Sequence, residues 1–215
     1  EVFLKKIDGM LYGDKPEEGF FYKNTFIHKP LDFFFNFDES IFFINNPKFL
    51  LGLGENDTKI FFDVDNNINQ GDLDYFSSWA KIPKKNILDY SKKTIGNFII
   101  SECIIKKSDK TIGLALIKDD KNLYRFSITS EKKYFKNYKK KFSDIVYSFG
   151  KVSTNSSINN IEPPKIRVIK NSSEENFIKE VIKKSSFQKK FSKDIFMTIN
   201  NVDDIKTNQK IKTIY

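Results

Sequence analysis

Apolar residues in this chain recur at two periods, near two and near 3.6, and these divide it into strands and helices. In residues 33–37, Phe33, Phe35 and Phe37 alternate with Phe34 and Asn36, which predicts a strand covered mostly on one side. An element this aromatic needs a core, and the remaining apolar runs read as the material of that core. Residues 20–27 predict a strand before it, and 41–44 and 49–53 predict short extended pieces after it. In 60–64, Ile60, Phe62 and Val64 alternate with polar partners as a further strand. Leu73, Phe76, Trp79 and Ala80 stand at helical spacings within 72–80, with Asp72 and Asp74 near the positive end and Pro83 stopping the run. Residues 98–106, 112–117 and 123–128 read as three strands joined by short polar turns, an antiparallel meander.

Tyr134, Tyr138, Phe142, Ile145 and Phe149 recur at steps of three and four, predicting a helix over 130–149 whose aromatic stripe covers a sheet face. Ser130 is its expected N-cap and Gly150 its stop. At the other end, Val2, Phe3, Ile7 and Leu11 share a helical face, and residues 12–19 form a turn-rich connector. Residues 151–163 are rich in Ser and Asn, with too little apolar content to pack, and read as a linker. The remainder, 164–215, predicts a strand at 166–169, a helix opened by a Ser172 and Glu175 capping box, a second helix at 191–199 and a closing strand at 209–214. The expected organisation is therefore an N-terminal helix and connector over 1–19, an α+β domain over 20–150 whose antiparallel sheet is covered by a C-terminal amphipathic helix, the linker, and a small strand-helix-helix-strand domain.

Composition changes this picture in two places. The 215 residues carry a net charge of +9, which raises the question of an anionic partner. Arg125 and Arg167 are the two arginines against many lysines, whereas phosphate recognition favours the arginine fork, so a basic nucleic-acid-binding protein is the weaker alternative. Mean hydropathy is −0.48 and no run of apolar residues is long enough to predict a membrane-spanning helix. The single cysteine, Cys103, excludes an internal disulfide framework and reads as a small buried hydrophobe. The chain starts at Glu1 without Met or a signal-like leader, and the expectation is that the start of a longer polypeptide is missing.

No His-Glu-x-x-His, Gly-x-Ser-x-Gly, P-loop or Gly-x-Gly-x-x-Gly occurs. With one His and one Cys, most pairs of nucleophile and base are unavailable, and no catalytic residue and no cofactor are expected within these residues. His28, beside Lys29 and Pro30, reads as a turn or packing residue. Residues 63–72 alternate acidic and amide side chains in the manner of a calcium loop, but Ile68 stands where the EF-hand needs Gly and Asp74 where it needs the bidentate Glu.

Three stretches together, residues 7–19 (Ile-Asp-Gly-Met-Leu-Tyr-Gly-Asp-Lys-Pro-Glu-Glu-Gly), 26–33 (Phe-Ile-His-Lys-Pro-Leu-Asp-Phe) and 44–47 (Ile-Asn-Asn-Pro), resemble the region that follows the catalytic domain in proteobacterial envelope zinc metallopeptidases of the HtpX and BepA type. The resemblance continues through Leu123-Tyr-Arg-Phe126 and Tyr147-Ser-Phe149. In the last unit, Ile166-Arg-Val168, Ile199-Asn-Asn201 and Gln209-Lys-Ile-Lys212 resemble a degenerate LysM repeat. It implies a PsbP-like build for 20–150 and a non-catalytic accessory role that positions substrate or docks to envelope proteins or peptidoglycan. It also implies a periplasmic or envelope location, and zinc only in an upstream peptidase domain. The alternative is a free-standing exported binding protein with a LysM-like cap. Asn171, Ser172, Asn200, Asn201 and Asn208 then mark a weak glycan or docking surface, because the usual Gly-Asp-Thr after the first strand is missing and Asn208 stands where a Gly is common.

Overall fold

The phenylalanine-rich stretch builds a small sheet of its own, apart from the meander. A computed structural model describes residues 2–13, 15–65, 70–170 and 210–214, together with Lys179, Val181, Lys183, Ser185, Met197, Thr198 and Asn200. In chain order the elements are α1 (Val2–Ile7), β1 (Phe20–Tyr22), β2 (Thr25–His28), β3 (Phe33–Asn36), β4 (Phe42–Asn46), β5 (Phe49–Leu53), β6 (Lys59–Asp65), α2 (Asp72–Ala80), β7 (Leu88–Ile95), β8 (Phe98–Lys106), β9 (Lys110–Lys118), β10 (Leu123–Glu131), α3 (Phe135–Tyr147), α4 (Ser156–Asn159), β11 (Ile166–Lys170) and β12 (Lys210–Ile214). The protein is α+β, with antiparallel sheets and few helices. Its residues divide into two compact units, 1–39 with 149–215, and 40–148.

In the first unit β1, β2 and β3 pair antiparallel. The single strand expected over 20–27 is a hairpin, because Lys23 adopts a left-handed φ of 53° and turns the chain between Tyr22 and Thr25. Nor is β3 covered on one side only. Phe33 and Phe35 lie on one face beside Phe26, while Phe34 lies on the other with Phe20, Ile27 and Val152. Gly150 lies against the Phe34 ring, where a Cβ would stand 2.8 Å from the ring carbons, and the two residues exchange backbone hydrogen bonds of 2.9 and 3.0 Å. The linker expected over 151–163 is packed instead. Val152 is buried, Ile158 and Ile161 pack beside it, and Asn155 caps α4 by accepting the Ile158 N–H.

Further along the same unit β11 pairs antiparallel with β12, from Ile166 opposite Ile214 to Lys170 opposite Lys210. The segment after α1 closes on the start of β11. There the Gly9 N–H donates to the Ile166 carbonyl at 2.8 Å, the Ile166 N–H to Met10 at 2.8 Å and the Tyr12 N–H to Pro164 at 2.9 Å. The capping box at Ser172 and Glu175, and most of the two helices expected between β11 and β12, lie outside the described residues.

The second unit is a seven-stranded antiparallel sheet in the order β4-β5-β6-β10-β9-β8-β7. After β6 the chain runs through α2 to the far edge, and β7 to β10 return strand by strand until β10 pairs with β6. The two faces follow from the pleat. Cys103, Ile105, Leu114, Leu116 and Leu123 pack with Tyr75 and Phe76 of α2, and Gly113 on the opposite face lies near Phe135 and Phe142 of α3. The helix expected from Ser130 starts later, at Phe135. Ser130 belongs to β10, where its hydroxyl bonds that of Thr58 at 3.0 Å, and the N-cap position, Tyr134, makes no side-chain cap. No helix among the described residues is long and apolar enough to cross a membrane.

Candidate functional site

Two charged centres sit beneath α2, and its sequence explains why. Asp72, Tyr75 and Trp79 stand at i, i+3 and i+7, one stripe of the helix, and that stripe is turned towards the sheet. Asp72 opens the helix with its side chain 5% exposed. It accepts hydrogen bonds from Lys118 Nζ at 2.8 Å, Ser101 Oγ at 2.7 Å and Tyr90 OH at 3.2 Å, and a salt bridge from Lys92 Nζ at 2.8 Å. Burial by itself would raise the pKa of this carboxyl, but the hydrogen bonds from Lys118, Lys92 and Ser101 more than offset it. The carboxyl is held well below the usual carboxylate range.

The second centre is built by strand register. Arg125 on β10 lies opposite Asp63 on β6, and Asp65 is two residues along the same face. The guanidinium grips Asp63 with two N–H groups, Nε donating at 2.7 Å, while Nη1 donates to Asp65 at 3.1 Å and to the Tyr75 hydroxyl at 2.8 Å. The Tyr75 hydroxyl in turn donates to Asp65, and the Trp79 ring covers the guanidinium at 5.3 Å. Burial, then the Asp65 carboxylate, pushes the Tyr75 pKa up to about 12. Arg125 keeps its charge, because the Asp63 carboxylate outweighs the effect of burial.

On the opposite face a cavity of about 100 Å³ opens between α3 and the strands β7 to β9, lined by Asp89, Ser91, Glu102, Phe135, Lys139 and Phe142 among others. Asp89 takes a left-handed φ of 50°, and the pairing of β7 with β8 is irregular between Leu88 and Ser91. Glu102 accepts the Tyr147 hydroxyl, and burial, then this carboxylate, pushes Tyr147 up to about 12.

The residues singled out from sequence fall elsewhere. His28 accepts the Leu31 N–H at Nδ1, 3.2 Å away, and stacks on Phe33 at 5.2 Å; its pKa is lowered by burial. Asp63 and Asp65 of the calcium-like stretch lie on a strand and are engaged by Arg125, and residues 66–69 are outside the described residues. No group of three or more His, Cys, Asp or Glu that could hold a metal occurs among the described residues. Of the five residues expected to mark a glycan surface, Asn171, Ser172, Asn201 and Asn208 are outside the described residues. The fifth, Asn200, accepts the Lys212 N–H at 2.7 Å and donates to the Lys212 carbonyl at 2.9 Å, tying it to β12. The charged centres were missed because their members are far apart in sequence. One signal was present: Arg125 is one of two arginines, and Asp63 and Asp65 alternate onto one strand face.

No family model matches the sequence, and no curated protein matches it. Among solved structures, the chain is similar to the cyanobacterial PsbP protein of Synechocystis, at 8% identity and a TM-score of 0.46, over 65% of this chain and 98% of that one. It is also similar to a protein of Bacteroides thetaiotaomicron, at 10% identity and a TM-score of 0.42, over 86% of this chain and 64% of that one.

Proposed function

We propose that the chain is a non-catalytic accessory region of a bacterial-envelope zinc metallopeptidase of the HtpX and BepA type, docking to envelope components or positioning substrate. The observation that supports this most is how the gathered ionisable groups are used. Asp72 is engaged by Lys92 and Lys118, and Arg125 by Asp63 and Asp65, while His28 serves a turn. Such centres hold a surface in shape; a nucleophile aligned with a base would be the mark of a reacting site. On this reading residues 20–150 have a PsbP-like build with the sheet covered by α3, and 164–215 form a LysM-like unit. The antiparallel pairing of β11 with β12, and the Asn200 tie to Lys212, support that unit. Zinc would belong to an upstream peptidase domain, and the location would be the periplasm or envelope.

The test is direct. The purified chain, equilibrated with zinc and desalted, should retain far less than one zinc per chain and leave casein intact. One zinc per chain with casein cleavage overturns the reading. Retention on purified peptidoglycan should be weak and should fade as salt rises through about 0.15 M, where the Debye length is about 8 Å. Retention that survives high salt and is competed by chitin oligomers would instead place an intact glycan site around Asn171, Ser172, Asn200, Asn201 and Asn208.

A further inference from the structure

The inner face of α3 is fixed by Phe135, Tyr138, Phe142, Ile145 and Val146, all buried. Its outer side and the turn before it carry Lys132, Lys136 and Lys140, and Lys139 stands on its flank at the rim of the cavity that Asp89 and Glu102 also line, all four lysines being exposed. Among the described residues the ion pairs nearby are made by Lys133 with Glu131 at 3.1 Å and by Lys110 with Asp57 at 3.5 Å, and none by these four. The Lys132 N–H donates to the Asp109 carbonyl at 3.1 Å, which brings the β8–β9 turn, with exposed Lys106 and Lys107, to the same end of the helix. Lys136 and Lys140 are one turn apart, about 6 Å along the axis. Asp144, a turn beyond Lys140, supplies an opposing charge at the far end.

We propose that this face docks on an anionic lipid bilayer. The assignment rests on the docking reading above and names its partner. Lysines are mobile point charges with long apolar stems, suited to a diffuse layer of anionic headgroups. A nucleic-acid site would want guanidinium forks and open stacking rings. Here Arg125 is spent on two carboxylates, and Tyr134 lies beneath the Lys133 ammonium at 4.7 Å. Each lysine near an anionic membrane is worth about fivefold in partitioning, so these four together give a measurable but salt-sensitive attachment.

Flotation of the whole chain with vesicles tests it, comparing pure phosphatidylcholine with vesicles of about one-third phosphatidylglycerol, at about 0.05 M and about 0.5 M salt. The chain should float with the anionic vesicles at low salt and stay down with the neutral ones. The variant K132Q/K136Q/K139Q/K140Q should lose at least about tenfold in partitioning. K6Q/K48Q/K85Q/K121Q, which removes as many exposed lysines elsewhere, should stay within about twofold, and circular dichroism should show both variants folded. Equal loss in the two variants overturns the assignment of this face, and no flotation at low salt overturns the membrane. Tight binding to duplex DNA with negligible flotation would move the partner to nucleic acid. Any of these failures leaves the zinc, casein and peptidoglycan results of the docking reading untouched, so the two are separable.

Discussion

Asp72 ties a helix start to three strands through Lys92, Ser101 and Lys118. Asp72→Asn keeps the shape and removes the charge, leaving Lys118, whose side chain is 15% exposed, without its anion. A cost of about 2 to 4 kcal/mol is expected, by the usual penalties for an orphaned, largely buried ion, and urea unfolding measures it. The sign of the pH dependence follows from the depressed pKa. An unfolded Asp titrates near about 3.9, so below about pH 4 the unfolded chain takes up a proton that folded Asp72 refuses. The stabilisation is whole above that pH and drains away as pH falls, and the Asp72→Asn variant should show a flatter stability curve there. An unchanged acid limb would mean that the carboxyl is ordinary. Cys103 makes the opposite case on the neighbouring strand position. It is 2% exposed, and burial, then Glu102, pushes its thiol up to about 12. A thiolate-seeking disulfide reagent at about pH 8 should leave it unmodified until denaturant is added, and prompt labelling of the native chain would contradict that burial.

At the scale of elements, β3 is built almost wholly on aromatic contact, with Phe33 and Phe35 both against the Phe26 ring. Phe35 is 0% exposed and lies 5.6 Å from the Phe26 ring and 6.5 Å from Phe37. Phe35→Ala should cost about 3 to 5 kcal/mol, the usual range for truncating a buried aromatic, and a loss below about 1 kcal/mol would show that the small sheet adapts around the gap. How legible each element was in the sequence depends on its surroundings. The helix over 72–80 coincides with α2 because one face is wet and one dry, which leaves a periodic pattern. The strand β7 left none: almost all its residues are exposed, so Leu88 to Ile95 reads as polar chain. Residues 20–28 hid their turn because Lys23 and Asn24 interrupt an apolar run without Gly or Pro. The polar stretch after Gly150 looked unpackable because Val152, Ile158 and Ile161 are spread too thinly to register as a pattern, yet they meet Phe34 in space. Of the charged centres, the one at Arg125 follows only from the register of β6 with β10, since Arg125 and Asp63 are 62 residues apart, and the one at Asp72 only from the pairing of β7, β8 and β9, which brings Lys92, Ser101 and Lys118 together.

For the whole molecule, the division of the chain makes one unit an insertion in the other. Residues 40–148 contain all seven strands of the large sheet, α2, α3 and both charged centres, so every backbone pairing of that sheet is internal to them. The other unit is assembled from two distant stretches. Phe34 pairs with Gly150, Asp32 accepts the N–H and hydroxyl of Ser153, each at 2.7 Å, and Lys29 Nζ donates to the Asn159 carbonyl at 3.0 Å. It cannot form from residues 1–39 alone, since β3 would lose the partners that cover it. The larger unit takes all its strand pairings from one continuous stretch and is the size of an ordinary autonomous domain. Trp79, the chain's one tryptophan, lies in α2 against Arg125 and therefore reports on this unit. Residues 40–148 expressed alone should unfold in urea as a single cooperative transition in Trp79 fluorescence, with a slope of about 1 to 2 kcal/mol/M, and near-ultraviolet circular dichroism should follow the same curve. A fragment truncated after residue 148 should keep that transition while losing the protection of β2 and β3 amides from hydrogen exchange. A non-cooperative fluorescence change in the isolated 40–148 fragment would show that the large sheet depends on the discontinuous unit for its stability, and the two could then no longer be treated as separate folding units.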